Sequence, residues 1–237
     1  LGAMAVVKGK TVVHYTLELA DTVVATRYDS CITGIPLTNV FSNKEKVFDT
    51  IQEIEGQLIV KEYPTKSAST KTINAHLDRL SRRGVDVGMV IVDYGDLLRP
   101  ISVQREKRNE LESIYEELRA IAQVYGCPVW TASQTNRSGL NAEVITMESI
   151  SEAFNKCFVS DFIFSLSRTI EDKNTNEGRI FIAKNRNGPD GIVYPIFMDT
   201  SNVKIKVLSN VGVTPNQVLS KSSKEQAQTL KDKYKKV

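Results

Sequence analysis

Three polar residues of this 237-residue chain, Glu18, Asp93 and Gln134, each follow a short run of mainly apolar or β-branched residues. Hydrolysis of a terminal phosphate needs a base that orients water, a carboxylate that holds Mg²⁺ and a neutral amide that senses the phosphate. In chain order, Glu18, Asp93 and Gln134 fit these three roles. Each residue alone is a weak signal, so the elements before them must bring them together.

The stretch 88–98 predicts the central element, a buried strand that ends at Asp93. Residues 89–92 are uninterruptedly apolar, which is typical of a strand covered on both faces in a parallel sheet. The carboxyl ends of parallel strands share one edge, where α/β sheets bind ligands. Asp93 could hold Mg²⁺ there through water. A strand that ends in a polar turn residue explains the same pattern.

Strands and helices alternate along the first 132 residues. Strands are predicted over residues 11–17, 57–61, 88–93 and 129–132, and helices over 1–8, 21–31, 70–83 and 105–125. Four more strands follow, over 161–166, 179–184, 192–198 and 203–207, with turn residues at 187–191. This order predicts an α/β fold whose mostly parallel, twisted sheet is flanked by helices and has an antiparallel C-terminal hairpin edge. We expect one domain over residues 1–208 and a basic tail over 209–237.

Composition limits the function classes. The chain is 41% hydrophobic with a net charge of +3, too small to indicate nucleic-acid binding by itself. No apolar run approaches the roughly 20 residues that span a bilayer. Cys31, Cys127 and Cys157 are scattered and suit neither a zinc site nor a disulfide framework, so we expect a cytoplasmic protein. The lysine-rich tail is either a helix with a basic face or a solvated segment.

Four ordered motifs resemble those of DnaB-type hexameric replicative helicases: residues 15–19, 89–94, 131–137 and 184–189. Residues 58–65 are similar to the branch found in T4-like tailed phages. The resemblance covers residues 1–207. It implies a RecA-like P-loop NTPase core, ATP and Mg²⁺ as cofactors, and translocation on single-stranded DNA by a homo-oligomeric ring, with a hexamer expected. Primase and a helicase loader are the further partners that it suggests, in the host cytoplasm if the protein is phage-encoded.

The resemblance also assigns roles to residues. Glu18 resembles the catalytic carboxylate, Asp93 the Walker B aspartate, and Gln134 the residue that couples the γ-phosphate to the DNA loops. Lys184 and Arg186 resemble finger residues that reach a neighbouring subunit's site, where a cation stabilises transition-state charge. An exposed hairpin end is the structural alternative for these two.

Arg27 and a set of candidate DNA contacts are further candidate site residues. Arg27 follows Glu18 by nine positions, as an arginine of the ATP site does in the family, although a surface ion pair fits equally well. Candidate DNA contacts, which would hold phosphates without reading sequence, are Arg99, Arg105, Lys107, Arg108, Arg137, Asn141 and Arg168. A solvated helix start is the alternative for residues 105–108.

The chain departs from the family pattern at its front. A P-loop reads G-x-x-x-x-G-K-[ST] between a strand and a helix. Gly9–Lys10–Thr11 matches its end, but Met4 stands where the first glycine belongs and a strand follows. By the resemblance the true loop lies upstream, so we expect a chain that begins inside the helicase domain and binds ATP poorly. Many relatives have serine where Ala20 stands, and we expect Asp21 to cap the next helix instead.

Two other functions stay open. The first is a RecA- or KaiC-like ATPase without unwinding activity. The second is a non-hydrolysing DNA-binding or assembly module, which would not need Glu18, Gln134 and Arg186. The isolated residues His14 and His76 are expected to be structural.

Overall fold

The chain forms two sheets of different type. The computed structural model describes residues 1–135, 142–147, 155–209 and 211–219. The chain divides into two units. Unit 1 contains residues 1–134, 151–160 and 200–204, and unit 2 contains residues 135–150, 161–199 and 205–237.

Unit 1 is built on a four-stranded parallel sheet. Its strands are β1 (Thr11–Thr16), β2 (Leu58–Glu62), β3 (Val87–Asp93) and β4 (Val129–Thr131). They lie in the order β2-β1-β3-β4, and all three neighbouring pairs are parallel. The apolar strand β3 is central, as its composition predicts.

Helices cover both faces of this sheet. The helices described in unit 1 are α1 (Gly2–Val7), α2 (Asp21–Thr33), α3 (Lys44–Gln52), α4 (Thr70–Arg82), α5 (Lys107–Tyr125) and α6 (Asn155–Val159). On one face, Tyr15 of β1 belongs to a buried cluster with Ile73 of α4 and Ile114 of α5. On the other face, Val24 of α2 belongs to a cluster against which Leu58 of β2 packs. Because successive strand residues point to opposite faces, β1 supplies side chains to both layers.

Glycines end the two longest predicted helices where the sequence indicated. Gly84 follows α4 with φ +78°, and Gly126 caps α5 with φ +61°. Both values lie in the left-handed region, where a residue without Cβ is unstrained. The N–H of Gly126 donates to the carbonyl of Ala122 and closes the last turn of α5.

Two short helices of unit 1 were not predicted. In α3 only Val47 is buried, and it packs in a small separate cluster with Ile35 and Val40. Helix α6 has five residues, and its buried residues are Lys156 and Cys157. Neither segment has the extended apolar periodicity by which longer helices are recognised.

The second sheet consists of β5 (Phe162–Ser167), β6 (Glu177–Asn185), β7 (Ile192–Asp199) and β8 (Lys204–Val207), in that order. It belongs to unit 2 except for Lys204, which is counted in unit 1. Strand β6 pairs antiparallel with both β5 and β7. The predicted hairpin between β6 and β7 is confirmed, and the N–H of Gly191 donates to the carbonyl of Ile182 at 2.8 Å. Helix α7 (Ile170–Thr175), which was not predicted, joins β5 to β6.

Over the described residues, no helix is both long and apolar enough to cross a bilayer. The basic tail from residue 220 onward lies outside the described residues, so the domain boundary near residue 208 stays a prediction.

Candidate active site

The register of the parallel sheet places Glu18 next to the end of β3. Thr16 of β1 lies beside Asp93, and the N–H of Leu17 donates to the carbonyl of Asp93 at 2.9 Å. The hydroxyl of Thr16 then donates to the carbonyl of Leu19 at 2.7 Å and accepts from its N–H at 3.2 Å. This tight turn leaves the side chain of Glu18 exposed at the carboxyl edge of the sheet.

Gln134 reaches the same edge from β4. Val92 of β3 lies beside Thr131 of β4, so both strands end at one level. The side-chain amide of Gln134 donates to the hydroxyl of Tyr94 at 3.0 Å. Tyr94 follows Asp93 directly, and its hydroxyl therefore links the candidate sensor to the candidate metal-binding strand end.

Carboxylates of this edge affect the acidity of Tyr94. Burial raises the pKa of its hydroxyl above the usual value, and Glu18, Asp96 and Asp93 raise it further. Neighbouring negative charges disfavour the phenolate, so Tyr94 stays a neutral hydrogen-bonding group. The sequence did not assign this residue a role, although its position directly after Asp93 was a usable signal.

Asp93 is half-buried and has a cation nearby. Burial raises the pKa of its carboxyl group, and the charge of Arg27 opposes that rise. Arg27 extends from α2 and is exposed. The structure thus brings Arg27 near Asp93, and a role of Arg27 at an ATP site stays a prediction.

The start of α2 is capped from another strand. Its N-cap residue, Ala20, makes no side-chain hydrogen bond, and the Glu62 carboxylate accepts from the N–H of Asp21 at 3.0 Å. The prediction that Asp21 caps the helix is therefore wrong. Glu62 ends β2 and is 41 residues away from Asp21 in sequence, so only the sheet brings this carboxylate to the helix start.

The chemistry of this edge fits a magnesium–nucleotide complex. Among the described residues there is no group of three or more metal-ligating side chains. Mg²⁺ in nucleotide sites is usually held by one or two carboxylates together with water and phosphate oxygens. Asp93, at the carboxyl end of the central strand, is suited to serve as such a carboxylate.

Lys184 and Arg186 lie in unit 2, at the end of β6 and just beyond it. Lys184 pairs across the sheet with Ile163 of β5. The guanidinium of Arg186 contacts the carboxylate of Asp161 at 2.8 Å, and the backbone N–H of Arg186 donates to the backbone carbonyl of Asp161 at 2.9 Å. Both ends of this ion pair are about half exposed.

The candidate DNA contacts have different surroundings. Arg99, Arg105, Lys107 and Arg108 are all exposed, and Arg108 pairs with Glu106 at the start of α5. Arg168 is half-buried, and its Nε donates to the carbonyl of Glu177 at 3.0 Å. Arg137 and Asn141 lie outside the described residues. Contact with DNA stays a prediction for all of these residues.

The surroundings of Gly9–Lys10–Thr11 differ from those of a P-loop. Gly9 lies at φ +75° after helix α1, and Thr11 begins β1. The order is therefore helix, glycine, strand, whereas a phosphate-binding loop precedes a helix whose amino end faces the phosphate.

The two histidines make structural contacts. His14 Nδ1 hydrogen-bonds the hydroxyl of Tyr28 at 3.0 Å, and His76 Nδ1 bonds that of Tyr15 at 2.8 Å. Burial lowers the pKa of His14 to about 4. Neither ring therefore needs a catalytic role to explain its position.

The family model described as the DnaB-like helicase C-terminal domain matches residues 2–203. The DnaB-like replicative helicase of Enterobacteria phage T4 is 24% identical over a 239-residue alignment that covers 95% of this chain and 50% of that protein. The replicative DNA helicase DnaB of Geobacillus stearothermophilus is 30% identical over 145 residues, covering 58% of this chain and 32% of that protein. The chain thus spans half or less of the length of these two relatives.

Two solved structures are similar in fold. One is described as an ATPase domain and has a TM-score of 0.73 and 18% identity, with 88% of this chain and 78% of that chain covered. The other, of a DnaB-like replicative helicase and its interactions with primase, has a TM-score of 0.71 and 18% identity over 87% of this chain and 54% of that one. At these identities the likeness concerns the fold alone, and it confirms the predicted RecA-like α/β class.

Proposed function

This chain belongs to the family of DnaB-like helicase C-terminal domains, and from that membership we propose that it is the ATP-hydrolysing domain of a replicative DNA helicase. The observation that carries the proposal is the convergence of Glu18, Asp93 and Gln134 at one edge of a parallel sheet. Three separate strands deliver these side chains. The hydroxyl of Tyr94 accepts from Gln134, and its pKa responds to the charges of both carboxylates.

Glu18 acts as the general base that orients the attacking water. It lies in the turn after β1 with its carboxylate exposed, so a water molecule and a bound phosphate can reach it. The bonds between Thr16 and Leu19 fix this turn. A base held in this way contributes typically about 10²–10⁴-fold to a rate.

Asp93 supplies the carboxylate for Mg²⁺ at the end of β3. When bound, the metal ion neutralises charge on the transferred phosphoryl group. Arg27 lies close enough to lower the pKa of Asp93 against the effect of burial. This cation therefore helps to keep the carboxylate ionised, as a ligand must be.

Gln134 responds to the presence of the γ-phosphate by changing the hydrogen bond of its side-chain amide. Its amide donates to the Tyr94 hydroxyl at 3.0 Å, and a γ-phosphate oxygen is a stronger acceptor than a phenol. When the amide exchanges the Tyr94 hydroxyl for a phosphate oxygen, Gln134 moves. The segment after β4 begins at this residue. That segment is our candidate for contact with single-stranded DNA.

The remaining features of the proposal rest on family membership. Arg186, and with it Lys184, serves the ATP site of a neighbouring subunit in a homo-oligomeric ring. The structural relative solved for its interactions with primase makes primase a candidate partner of this chain as well. Contact with a helicase loader and a cytoplasmic location are further proposals.

The test uses a polypeptide that also carries a P-loop, with DNA-stimulated ATPase and duplex unwinding as separate readouts. We expect Glu18→Gln to lower the DNA-stimulated kcat by about 10²-fold or more and to abolish unwinding. Glu45→Gln, an exposed carboxylate in the first turn of α3, is the matched control and should leave both readouts intact.

Two results would contradict the proposal. Full hydrolysis by Glu18→Gln removes Glu18 from the catalytic role. Normal ATPase activity of the wild type without any unwinding favours instead a RecA- or KaiC-like ATPase.

A further inference from the structure

Unit 1 contains a buried charged cluster that includes neighbours of Asp93 and Gln134 in the chain. None of its contacts was predicted from the sequence. Its centre is Lys156 on α6, whose side chain is 2% exposed. The other members are Asp96, Ser133 and Tyr115, and all four belong to unit 1. We call them the Lys156 cluster.

The hydrogen bonds of the cluster are short and mutually consistent. The ammonium of Lys156 donates to Asp96 Oδ2 at 2.8 Å and to Ser133 Oγ at 2.6 Å. The hydroxyl of Tyr115 donates to Asp96 Oδ1 at 2.8 Å, and the ammonium lies 5.5 Å from the centre of its ring. Both carboxylate oxygens of Asp96 therefore have a partner, and the buried ammonium has a carboxylate, a hydroxyl and an aromatic face.

Two residues of the cluster lie close in sequence to the candidate site residues. Ser133 directly precedes Gln134, and Asp96 follows Asp93 by three residues. The chain leaves unit 1 after Gln134 and returns to it at Ser151. The bond from Lys156 to Ser133 therefore joins helix α6, which follows the return, to the residue before the departure.

Stability alone is a poor explanation for this arrangement. Removing an ammonium and a carboxylate from water costs several kcal/mol per ion, and apolar residues of similar size are often as stable or more so. What a buried, fully bonded ion pair does provide is a defined geometry, because any displacement leaves a charge without its partner.

We propose that Lys156 is a positioning residue that fixes Ser133, and thereby the backbone from which the side chain of Gln134 moves between its two acceptors. The cluster links Asp96 and Ser133, which neighbour the candidate site residues in the chain, to Lys156 of α6. Because Ser133 is held, a movement of Gln134 displaces the residues that follow it and not the residues before it. This inference rests on the proposed function, since it concerns the coupling of ATP hydrolysis to DNA.

The key variant is the double substitution Lys156→Met with Asp96→Asn. It removes both buried charges together, and an amide at position 96 still accepts the hydrogen bond from Tyr115. We expect the KM for ATP to change less than about twofold and the DNA-stimulated kcat to fall about tenfold, because only the orientation of Gln134 is lost. Thermal unfolding should stay close to that of the wild type.

Two further variants separate positioning from folding. Ser133→Ala leaves the Lys156–Asp96 pair in place but removes the contact next to Gln134, so it should lower the DNA-stimulated kcat in the same direction without a comparable loss of stability. Arg82→Met removes an exposed ion pair with Asp78 on α4 and should change neither the kinetics nor the unfolding temperature.

The outcomes distinguish this inference from the proposed function. All variants are made in the polypeptide that also carries a P-loop, and if its wild type shows no DNA-stimulated ATPase, both are overturned. If the wild type is stimulated while the double variant and Ser133→Ala keep the wild-type kcat, the proposed function stands and Lys156 has only a structural role. A reduced kcat with unchanged KM in both variants supports the inference.

Discussion

The carboxyl edge of the unit 1 sheet carries mainly carboxylates, and the hairpin end of unit 2 carries mainly cations. The two groups of side chains are brought together in different ways. In unit 1, strand register gathers Glu18, Asp93 and the amide of Gln134, and Arg27 is the cation that opposes the burial of Asp93. In unit 2, Lys184 and Arg186 lie at the end of one strand, and Asp161 holds Arg186.

Under the proposed function, the two regions supply different halves of the chemistry. A parallel sheet brings residues distant in sequence to one edge and can therefore assemble a multi-part site. The hairpin end instead carries two cations that are close together in the sequence. In the proposed function, unit 1 thus supplies the water-orienting and metal-binding groups, and unit 2 supplies a cation for transition-state charge.

The comparison is tested most strongly at Arg186. In a ring, Arg186→Ala should lower the DNA-stimulated kcat by about 10³-fold, because an inserted arginine stabilises transition-state charge. A mixture of Arg186→Ala with Glu18→Gln should recover activity, since mixed interfaces can join an intact Arg186 to an intact Glu18. Steady-state ATPase assays on mixtures measure this recovery.

Lys173→Ala is the matched control, because Lys173 is an exposed cation of α7 in unit 2. It should leave the rate unchanged. Native mass spectrometry would show whether hybrid rings form. If they form and the ATPase activity of the mixture never exceeds the summed activities of the two variants, action between subunits is wrong.

The second prediction concerns acid stability of unit 1. Burial lowers the pKa of His14 to about 4, below the unfolded value of 6.5. Between these values the unfolded chain binds a proton that the folded chain does not, so the free energy of unfolding should fall by about 3 kcal/mol as pH drops through this window. His14→Gln should remove that part of the pH dependence.

Urea unfolding followed by the fluorescence of Trp130 measures this effect, because the chain's single tryptophan lies in β4 of unit 1. His76→Gln serves as the comparison, and its effect should be smaller. An unchanged pH dependence in His14→Gln would show that His14 titrates normally in the folded chain.

Unit 2 should lose stability in a different pH window, at Asp172. Burial tends to raise the pKa of this carboxyl group, but hydrogen bonds from the N–H of Thr169 and from Arg179 outweigh burial and hold the pKa below its usual value. The stabilisation is therefore present above the unfolded pKa of about 3.9 and is lost as pH falls through the lower folded value. Asp172→Asn should cost about 2 kcal/mol at pH 7.

Amide hydrogen exchange of β6 measures this change without depending on unit 1. Asp190→Asn, in the exposed turn between β6 and β7, is the control. Equal protection of β6 in the wild type and Asp172→Asn at pH 7 would contradict the assignment.

The smallest effect is expected for the exposed cations ahead of and within the first turn of α5. If Arg105, Lys107 and Arg108 hold phosphates, each neutral substitution should weaken binding of all single-stranded sequences alike and reduce the salt slope by about 0.7. Fluorescence anisotropy over a salt series measures the slope, with Arg82→Gln as control. An unchanged slope would place these residues away from DNA.

Much of the fold could be predicted from sequence because its signals are local. The apolar run before Asp93, the helical spacing before Gly126 and the turn residues before Gly191 each depend on neighbours within a few positions. The same is true of the strand ends that carry Glu18 and Gln134. Ordered motifs then sufficed to place these residues in one family.

Contacts between distant residues were decided only by the tertiary structure. Glu62 caps α2 across 41 positions, Tyr94 accepts from Gln134 across 40, and Lys156 reaches Asp96 across 60. In sequence Lys156 is an ordinary lysine, because nothing local distinguishes a solvated ammonium from a buried one. Burial of a charge depends on partners that only the packed chain supplies. The strand ends could therefore be predicted from the sequence, whereas the hydrogen bonds that join them could not.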